Sequence, residues 1–421
     1  MHSFQQDLSL LKDHRFTLLL TARTISTLGS TFAPVALAFG VLQLPGANAT
    51  TLSVVLTAES LPMVLFMLVG GVVADRLPRQ RVMMAGEAAN ALAFCGLGVM
   101  LLTGWAPLPA LASAAAVSGI AMALLFPALQ GIIPEVVPVD RLQTGNALLA
   151  LGANSSRILG AVLGGGTVVL VGGGWALMIS GLLFAVAGVC IAQLKLRPAG
   201  EAPAGKPGER HSVLKDLREG WREFSSRQWL WVVVAQFSIM LLAIQAAHGV
   251  LGPMLVDQEL GESGPAAWSA VLAGEAVGTL LGVFVSLRLR PSRPILVATC
   301  LTIPTAMPYL LLGLSAPLWL VVLGAVLMGV CFDVFGVLWQ TTMQREIPGE
   351  ALSRVSSYDA LGSLMFGPIG LMLAGPVGIA IGPKGALVGC AAIVIIACLA
   401  ALLSPGVRNL RAPGAERLSR P

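Results

Sequence analysis

Charge is what this sequence has least of. Only 11% of its 421 residues are Asp, Glu, Lys or Arg, whereas 56% are hydrophobic. A soluble globular domain carries about 25% charged residues, so this scarcity excludes a soluble enzyme or binding module and predicts a polytopic membrane protein. The formal net charge of +5 is spread over short loops and therefore does not indicate nucleic-acid binding.

Residues for nucleotide and metal chemistry are also scarce. The sequence holds no G-x-x-x-x-G-K-S/T, H-E-x-x-H or C-x-x-C motif, and only four scattered histidines. Its six cysteines all lie inside apolar runs, where they act as packing residues. We therefore expect no cofactor, no metal and no enzyme. A membrane-embedded acyltransferase is an alternative, but the histidines offer no His/Asp constellation for it.

Long apolar runs predict an all-α membrane protein with about twelve transmembrane helices in two six-helix bundles. The first run continues for about a full span without a small-residue cleavage site, so we expect a retained helix instead of a signal peptide. The predicted spans lie near 16–42, 51–74, 81–103, 108–132, 142–171, 174–195, 228–250, 266–287, 294–313, 318–341, 353–379 and 384–404. The predicted domains are an N-terminal segment (1–15), a first bundle (16–195), a linker (196–227), a second bundle (228–404) and a tail (405–421).

The linker has two parts of different composition. PAGEAPAGKPGER predicts a flexible segment, whereas SVLKDLREGWREFSSRQW has apolar residues near helical spacing. The second part predicts either an amphipathic helix on the inner leaflet or a solvated linker helix.

Lys and Arg predict the orientation of the chain. If both termini are cytoplasmic, the outer loops hold Lys384 as their one basic residue, together with the acids Asp257, Glu259 and Glu262. Because basic loops stay in the cytoplasm, we expect a protein of the cytoplasmic membrane with both termini inside.

An internal repeat supports two equivalent halves. Adding 210 to the residue number brings Gln130 onto Gln340, and Gly160 and Gly165 onto Gly370 and Gly375. One ungapped offset over a helix, an inner loop and the next helix indicates a parallel six-plus-six repeat.

A short motif follows the second predicted span, where Gly70 to Arg81 reads GGVVADRLPRQR. The positions that carry the pattern are Gly71, Asp75, Arg76, Arg79 and Arg81. Their spacing resembles the cytoplasmic loop signature of the major facilitator superfamily, G-x-x-x-D-R-x-G-R-R/K, although Pro78 replaces a Gly and Gln80 interrupts the basic cluster. An acid that caps a neighbouring helix and arginines that bind carbonyls predict a conformational latch, made in one state of a moving bundle. Alternatively, the arginines only fix topology.

Three further segments resemble one bacterial branch of that superfamily, which includes macrolide efflux proteins and the enterobactin exporter. They are FDVFGVLWQTTMQREIPGEALSRVSSYDALGS, from Phe332 to Ser363, ARTISTLGS, from Ala22 to Ser30, and NALLALGANSSRILGAVLGG, from Asn146 to Gly165. Drug antiporters often carry G-P-x-x-G-G in the fifth helix. This chain keeps the small residues Gly160, Gly164 and Gly165 without the proline, so we expect them to allow close helix packing.

Charged residues inside the spans are the best functional signal, since each costs about 2.5 to 3.5 kcal/mol at the bilayer centre. They are Arg23, Glu59, Glu87, Arg157, Glu275, Asp333 and Asp359. Glu87 and Asp359 lie near inner helix ends and are assigned to the latch. The resemblance implies that helices 1, 4, 7 and 10 line a cavity, with candidates Asp333, Arg23, Gln130, Gln236, Gln245 and Phe126. The alternative for each is an interhelical hydrogen bond or ion pair. His248 receives no role.

Without an ATPase domain, transport must be secondary. The resemblance implies a monomeric efflux transporter in the lipid bilayer, which exchanges protons for an apolar drug-like small molecule or secondary metabolite. Asp333 is the first choice for the proton carrier, Glu59 and Glu275 come next, and Arg157 is a partner that resets one of them. Transport of one defined metabolite is the alternative within this class.

Overall fold

The computed structural model describes residues 8–138, 141–194 and 213–411. Predictions for the extreme N-terminus, for the flexible part of the linker and for the end of the tail lie outside these residues. The same holds for some side chains within helices, including those of Asp75, Arg76 and Gln130. The described residues are helical throughout, without a strand.

The first half folds into six long helices that follow a 3-10 turn at Leu8–Lys12. They are α1 (His14–Leu42), α2 (Ala49–Arg76), α3 (Arg79–Thr103), α4 (Leu108–Val136), α5 (Leu142–Val171) and α6 (Gly173–Ala192). Asp13 caps α1, because its carboxylate accepts the Arg15 N–H at 2.9 Å. Gly104 and Gly172 end α3 and α5 with φ angles of 70° and 87°, which glycine adopts without steric cost.

Close glycine contacts determine how these helices pack. α2 packs against α4, α3 against α4 and α6, and α1 against α5 and α6. Gly119 of α4 lies so close to the Glu59 carbonyl of α2 that a Cβ there would clash with it. Gly173 of α6 approaches Gly40 of α1 in the same way. Such contacts let helix backbones approach closely in a bilayer.

Among its described residues, the second half contains eleven further helices. They are α7 (Val213–Ser226), α8 (Gln228–Ala246), α9 (Gly252–Leu260), α10 (Gly264–Arg288), α11 (Pro294–Leu301), α12 (Met307–Gly313), α13 (Leu318–Glu346), α14 (Gly349–Leu364), α15 (Gly367–Ile381), α16 (Pro383–Leu402) and α17 (Pro405–Asn409). A π-helical turn, Ala247–Leu251, joins α8 to α9, and 3-10 turns lie at Gly261–Ser263 and Ile303–Ala306.

Two of the predicted spans are each divided into two helices. The span at 294–313 contains α11 and α12, and the span at 353–379 covers parts of α14 and α15. Pro304 lies in the first break and Pro368 follows the second. Proline causes such breaks because it lacks the N–H that continues a helix.

Eleven segments of the described residues are long and apolar enough to cross a membrane. One of them, Gln228–Ser286, has 59 residues and would measure roughly 90 Å as a straight helix. A bilayer core is about 30 Å thick, so this segment supplies two crossings. The prediction of an all-α fold with about twelve spans in two bundles is confirmed.

Internal contacts divide the chain into two compact units. The first contains residues 1–200 and 253–273, and the second contains residues 201–252 and 274–421. Within the first unit, Gly165 of α5 lies against Ser269 of α10.

Candidate functional site

An aromatic pocket of about 280 Å³ lies between α8, α13 and α14 in the second unit. Its lining residues are Val233, Val234, Phe237, Phe332, Phe335, Gly336, Trp339, Gln340, Asp359, Ala360, Ser363 and Leu364. Phe237 stacks on Phe335 with ring centroids 5.4 Å apart, and Phe335 stacks on Trp339 at 6.2 Å. Rings from α8 and α13 thus form one continuous aromatic wall.

Asp359 is the acid of this pocket. It accepts hydrogen bonds from Trp339 Nε1 at 3.2 Å and from Ser363 Oγ at 3.4 Å. The sequence assigned Asp359 to the cytoplasmic latch, and the structure also places it beside the aromatic wall. A carboxylate beside aromatic faces favours a cation or a hydrogen-bond donor.

The linker helix α7 packs behind this pocket. The Trp221 and Phe224 rings lie 5.6 Å and 6.0 Å from the Tyr358 ring of α14. Phe224 is buried, whereas Trp221 is 55% exposed. Because Tyr358 precedes Asp359 in the chain, α7 supports the helix that carries the pocket acid.

Asp333 is half-buried on α13 and accepts a hydrogen bond from Ser286 of α10 at 3.2 Å. Gly282 of α10 lies against the Asp333 side chain, where a larger residue would not fit. Asp333 follows Phe332 of the pocket wall but does not itself line the pocket.

Glu59 and Glu275 have different partners. Glu59 of α2 accepts a hydrogen bond from Ser118 of α4 at 3.2 Å. Glu275 of α10 has its Oε2 atom 3.7 Å from His248 Nε2. His248, which received no role from the sequence, therefore faces an intramembrane acid. A lone histidine in an apolar run was the one signal for it.

The two intramembrane arginines lie near each other. Arg23 of α1 is close enough to Arg157 of α5 for their charges to repel. Arg157 also lies 3.4 Å from Asn154 Oδ1, to which it donates. The structure thus brings the two arginines together. The hydrogen-bond partner that it shows for Arg157 is an amide, not a carboxylate.

The remaining cavity candidates are scattered. Gln236 is buried and donates to Thr302 Oγ1 at 2.8 Å and to Cys398 Sγ at 3.3 Å, so it has the interhelical role that was the alternative. Gln245 is partly buried close to Gly367. Phe126 is 60% exposed.

The described part of the Gly70–Arg81 motif fastens helices of the first unit together. Arg79 Nη1, at the start of α3, lies 2.7 Å from Glu135 Oε1 at the end of α4. Gln80 Nε2 donates to the carbonyls of Ile191 at 2.8 Å and Leu194 at 2.6 Å, at the end of α6. In the sequence, Gln80 interrupts a cluster of basic residues. In the structure, its side chain donates to carbonyls at the end of a helix, which an arginine at this position could also bind. Arg81 is exposed.

The glycines of α5 contact neighbouring helices. Gly160 lies against Thr31 and Gly164 against Phe32, both on α1. With Gly165 against Ser269, all three positions show close packing.

Glu87 of α3 is buried, with 3% exposure, and accepts a hydrogen bond from Ser26 of α1. Its neighbour one turn on, Asn90, is fully buried. This acid thus lies inside the helix bundle, between α1 and α3.

Helical spans that hold several acids, together with an aromatic pocket beside one of them, are the architecture of a polytopic membrane transporter. The chain belongs to the Major Facilitator Superfamily, whose family model matches residues 19–367.

Among curated proteins, the chain is similar to the enterobactin exporter EntS of Shigella boydii serotype 18. The two are 27% identical over 385 residues, which cover 87% of this chain and 88% of the exporter. The enterobactin exporter of Escherichia coli O1:K1 shows the same identity and coverage.

Solved structures of transporters share the fold. The nucleoside transporter NupG aligns with a TM-score of 0.74 at 14% identity, over 92% of this chain and 98% of that one. A bacterial homologue of the human lysosomal transporter Spinster aligns with a TM-score of 0.70 at 17% identity, over 93% and 97%.

Proposed function

We propose that this protein exports an apolar drug-like compound or secondary metabolite across the cytoplasmic membrane, by alternating access and in exchange for protons. The aromatic pocket carries this proposal. Its stacked rings offer flat apolar surface to a ligand, and Asp359 adds one polar contact that selects for a cationic or donating group. A few polar groups in a mostly apolar wall are typical of small-molecule sites.

The exporter relatives support efflux as the direction, since the similarity extends over nearly the whole length of both chains. Their name also favours a second candidate, the export of one defined metabolite. A susceptibility panel on a deletion strain separates the two candidates. A narrow phenotype supports a single metabolite, and a broad one supports a drug exporter.

Proton exchange requires an acid that takes up a proton on one side and releases it on the other. Asp333 is our first candidate, because Ser286 holds it on a helix that also forms the pocket wall. Glu59 and Glu275 are the next candidates, and Arg157 is the positively charged partner that resets one of the acids. We assign the motif around Asp75 to a latch that favours one conformation, and the pair Arg79–Glu135 supports this role.

The orientation proposed with this function places both termini and the linker in the cytoplasm, in a monomeric transporter. Single cysteines from Gly205→Cys and Glu262→Cys, in a background without native cysteines, test it. An impermeant thiol reagent should label only the second in intact cells. Labelling at position 205 would reverse the topology.

Ligand binding to purified protein tests the pocket directly. Candidate compounds should bind wild type, and Trp339→Leu should lose about fivefold in affinity, since aromatic ligands gain about 1 kcal/mol from stacking. Trp319→Leu, which changes an exposed tryptophan of α13 outside the pocket, is the matched control. Equal affinities in both variants would remove the pocket from the proposal.

A further inference from the structure

A π-helical turn interrupts the helix that forms one wall of the pocket. It spans Ala247–Leu251, between α8 and α9, and it carries His248. π turns insert a residue into the helical repeat and occur frequently at functional sites. The inserted residue changes the direction of the side chains that follow, so His248 is positioned by an unusual backbone.

Three helices converge on the His248 ring. Its Nδ1 atom lies 3.3 Å from Tyr309 Oη of α12, and its Nε2 atom lies 3.7 Å from Glu275 Oε2 of α10. The Tyr309 hydroxyl also lies 3.6 Å from Met328 Sδ of α13. Tyr309 is 1% exposed, whereas the side chains of His248 and Glu275 keep 28% and 31% exposure. The tyrosine is thus buried, and the other two side chains are partly exposed.

The Tyr309 hydroxyl carries one proton and has two acceptors within reach. When it donates to His248 Nδ1, the imidazole is neutral, and its Nε2–H points towards the Glu275 carboxylate. When the imidazole takes a proton from water, both ring nitrogens become donors. Nδ1–H then donates to Tyr309 Oη, and the hydroxyl turns to the sulfur of Met328.

One N–H bond forms in this step, one O–H bond of the hydronium ion that delivers the proton breaks, and no electrons are transferred. The trio of His248, Glu275 and Tyr309 changes from net negative to neutral, and His248 Nδ1 and the Tyr309 hydroxyl each have a partner in both states. A group that has hydrogen-bond partners in both protonation states can gain and lose a proton without leaving a buried donor or acceptor unpaired.

We propose that His248, Glu275 and Tyr309 form a proton-binding site whose occupancy sets the pH dependence of transport. The second part of this statement rests on the proposed proton exchange. The first part stands on the geometry of the trio alone.

The surroundings of the trio contain few competing charges. The helices α8 and α15, which pack against the π turn, carry no charged residue, and α16 carries Lys384 at its start. Cys390 of α16 and Glu275 interact electrostatically with Tyr309. Asp257 follows nine residues after His248 in the chain, and Asp333 of α13 lies five residues beyond Met328.

Nuclear magnetic resonance of ring-labelled histidine tests the site without any transport. The chain has four histidines, so replacing the other three leaves His248 as the one signal; these changes are His2→Gln, His14→Gln and His211→Gln. We expect the ¹⁵N signals of His248 to change with pH as the ring binds its proton. In Glu275→Gln the midpoint should move to lower pH by about one unit or more. In Tyr309→Phe the Nδ1 signal should change most.

An identical pH response in Glu275→Gln, or His248 signals that do not change with pH, would overturn the site. Transport by His248→Gln in proteoliposomes then tests the coupling. Its rate should lose most of its dependence on pH while substrate affinity is retained, whereas His14→Gln, which changes an exposed residue of α1, should follow wild type. An unchanged pH profile in His248→Gln would refute the coupling role. If wild-type transport ignores a pH gradient, proton exchange itself fails, and the titration alone decides the site.

Discussion

The two halves of the molecule hold a glutamate in equivalent packing but give it different partners. In the first half, Gly119 of α4 lies against the carbonyl of Glu59. In the second half, Gly329, which is 210 residues further on, lies against the carbonyl of Glu275. The backbone arrangement is thus repeated, and the repeat alone would predict equivalent chemistry.

The side chains show otherwise. Ser118, next to Gly119, donates to the Glu59 carboxylate. Its repeat partner is Met328, whose sulfur lies near Tyr309, and Glu275 faces His248 instead. In the first half a serine hydroxyl therefore donates to the glutamate, whereas in the second half an imidazole ring lies near it. Repeated packing provides the scaffold, and single substitutions on it provide the chemistry.

The aromatic pocket shows the same contrast. Subtracting 210 from Trp339, Asp359 and Phe335 gives Leu129, Leu149 and Leu125. Of these, Leu149 and Leu125 are buried in the hydrophobic core of the first half. The second half thus replaces aliphatic packing with aromatic rings and an acid, and the following predictions test how far the halves really differ.

The largest effect is expected for Asp333, whose repeat partner is Ala123. Asp333→Asn should abolish substrate uptake driven by a pH gradient into inverted vesicles, because an amide does not carry the proton. Substrate binding should persist. If this variant retains full gradient-driven transport, Asp333 is a structural acid, and if wild type follows sodium instead of pH, proton antiport is wrong.

The repeated glycines should be equally sensitive. Gly119→Ala and Gly329→Ala each place a Cβ against the backbone of the neighbouring helix, so each should cost about 1–3 kcal/mol in stability. Thermal unfolding in detergent measures this as a lower midpoint. Gly336→Ala is the control, since that position has open space around it. A loss in only one half would break the equivalence of packing.

Converting the pocket acid to its repeat partner should weaken binding of cations. Asp359→Leu should lower the affinity for cationic ligands about tenfold, which corresponds to 1.4 kcal/mol, and change the affinity for neutral apolar ligands much less. Asp359→Asn retains the shape and provides the comparison. Parallel losses for both ligand classes would mean that Asp359 supports the pocket wall instead of contacting ligand.

The smallest expected effect is kinetic. The junction between α2 and α3 combines Asp75 with arginines, whereas the junction between α10 and α11 carries Arg288, Arg290 and Arg293 without an acid. Asp75→Asn leaves both junctions without an acid. It should slow turnover severalfold with nearly unchanged substrate affinity, because it shifts conformational populations and leaves the pocket intact. Normal turnover in this variant would reduce the motif to a topology signal.

Much of the fold could be predicted from the sequence because span length and loop charge act locally. Ten of the predicted spans could be placed from their own residues alone. The breaks at Ile303–Ala306 and before Gly367 could not, because they depend on how the surrounding helices accommodate prolines. The π turn at Ala247–Leu251 was not predicted, since its apolar sequence is that of an ordinary helix. Asp359 was found as an acid within a span, but its aromatic setting was not.

The sequence by itself determined the class of the protein, the number of spans, the internal repeat and the set of intramembrane charges. These follow from hydrophobicity, spacing and the cost of charge in a bilayer, and each can be counted along the chain. Only the tertiary structure decided which partner each polar group has. His248 meets Glu275 and Tyr309, and Gln80 meets the end of α6, because helices far apart in sequence pack side by side. The periodicity of residues along one helix does not specify which residues of another helix will contact it.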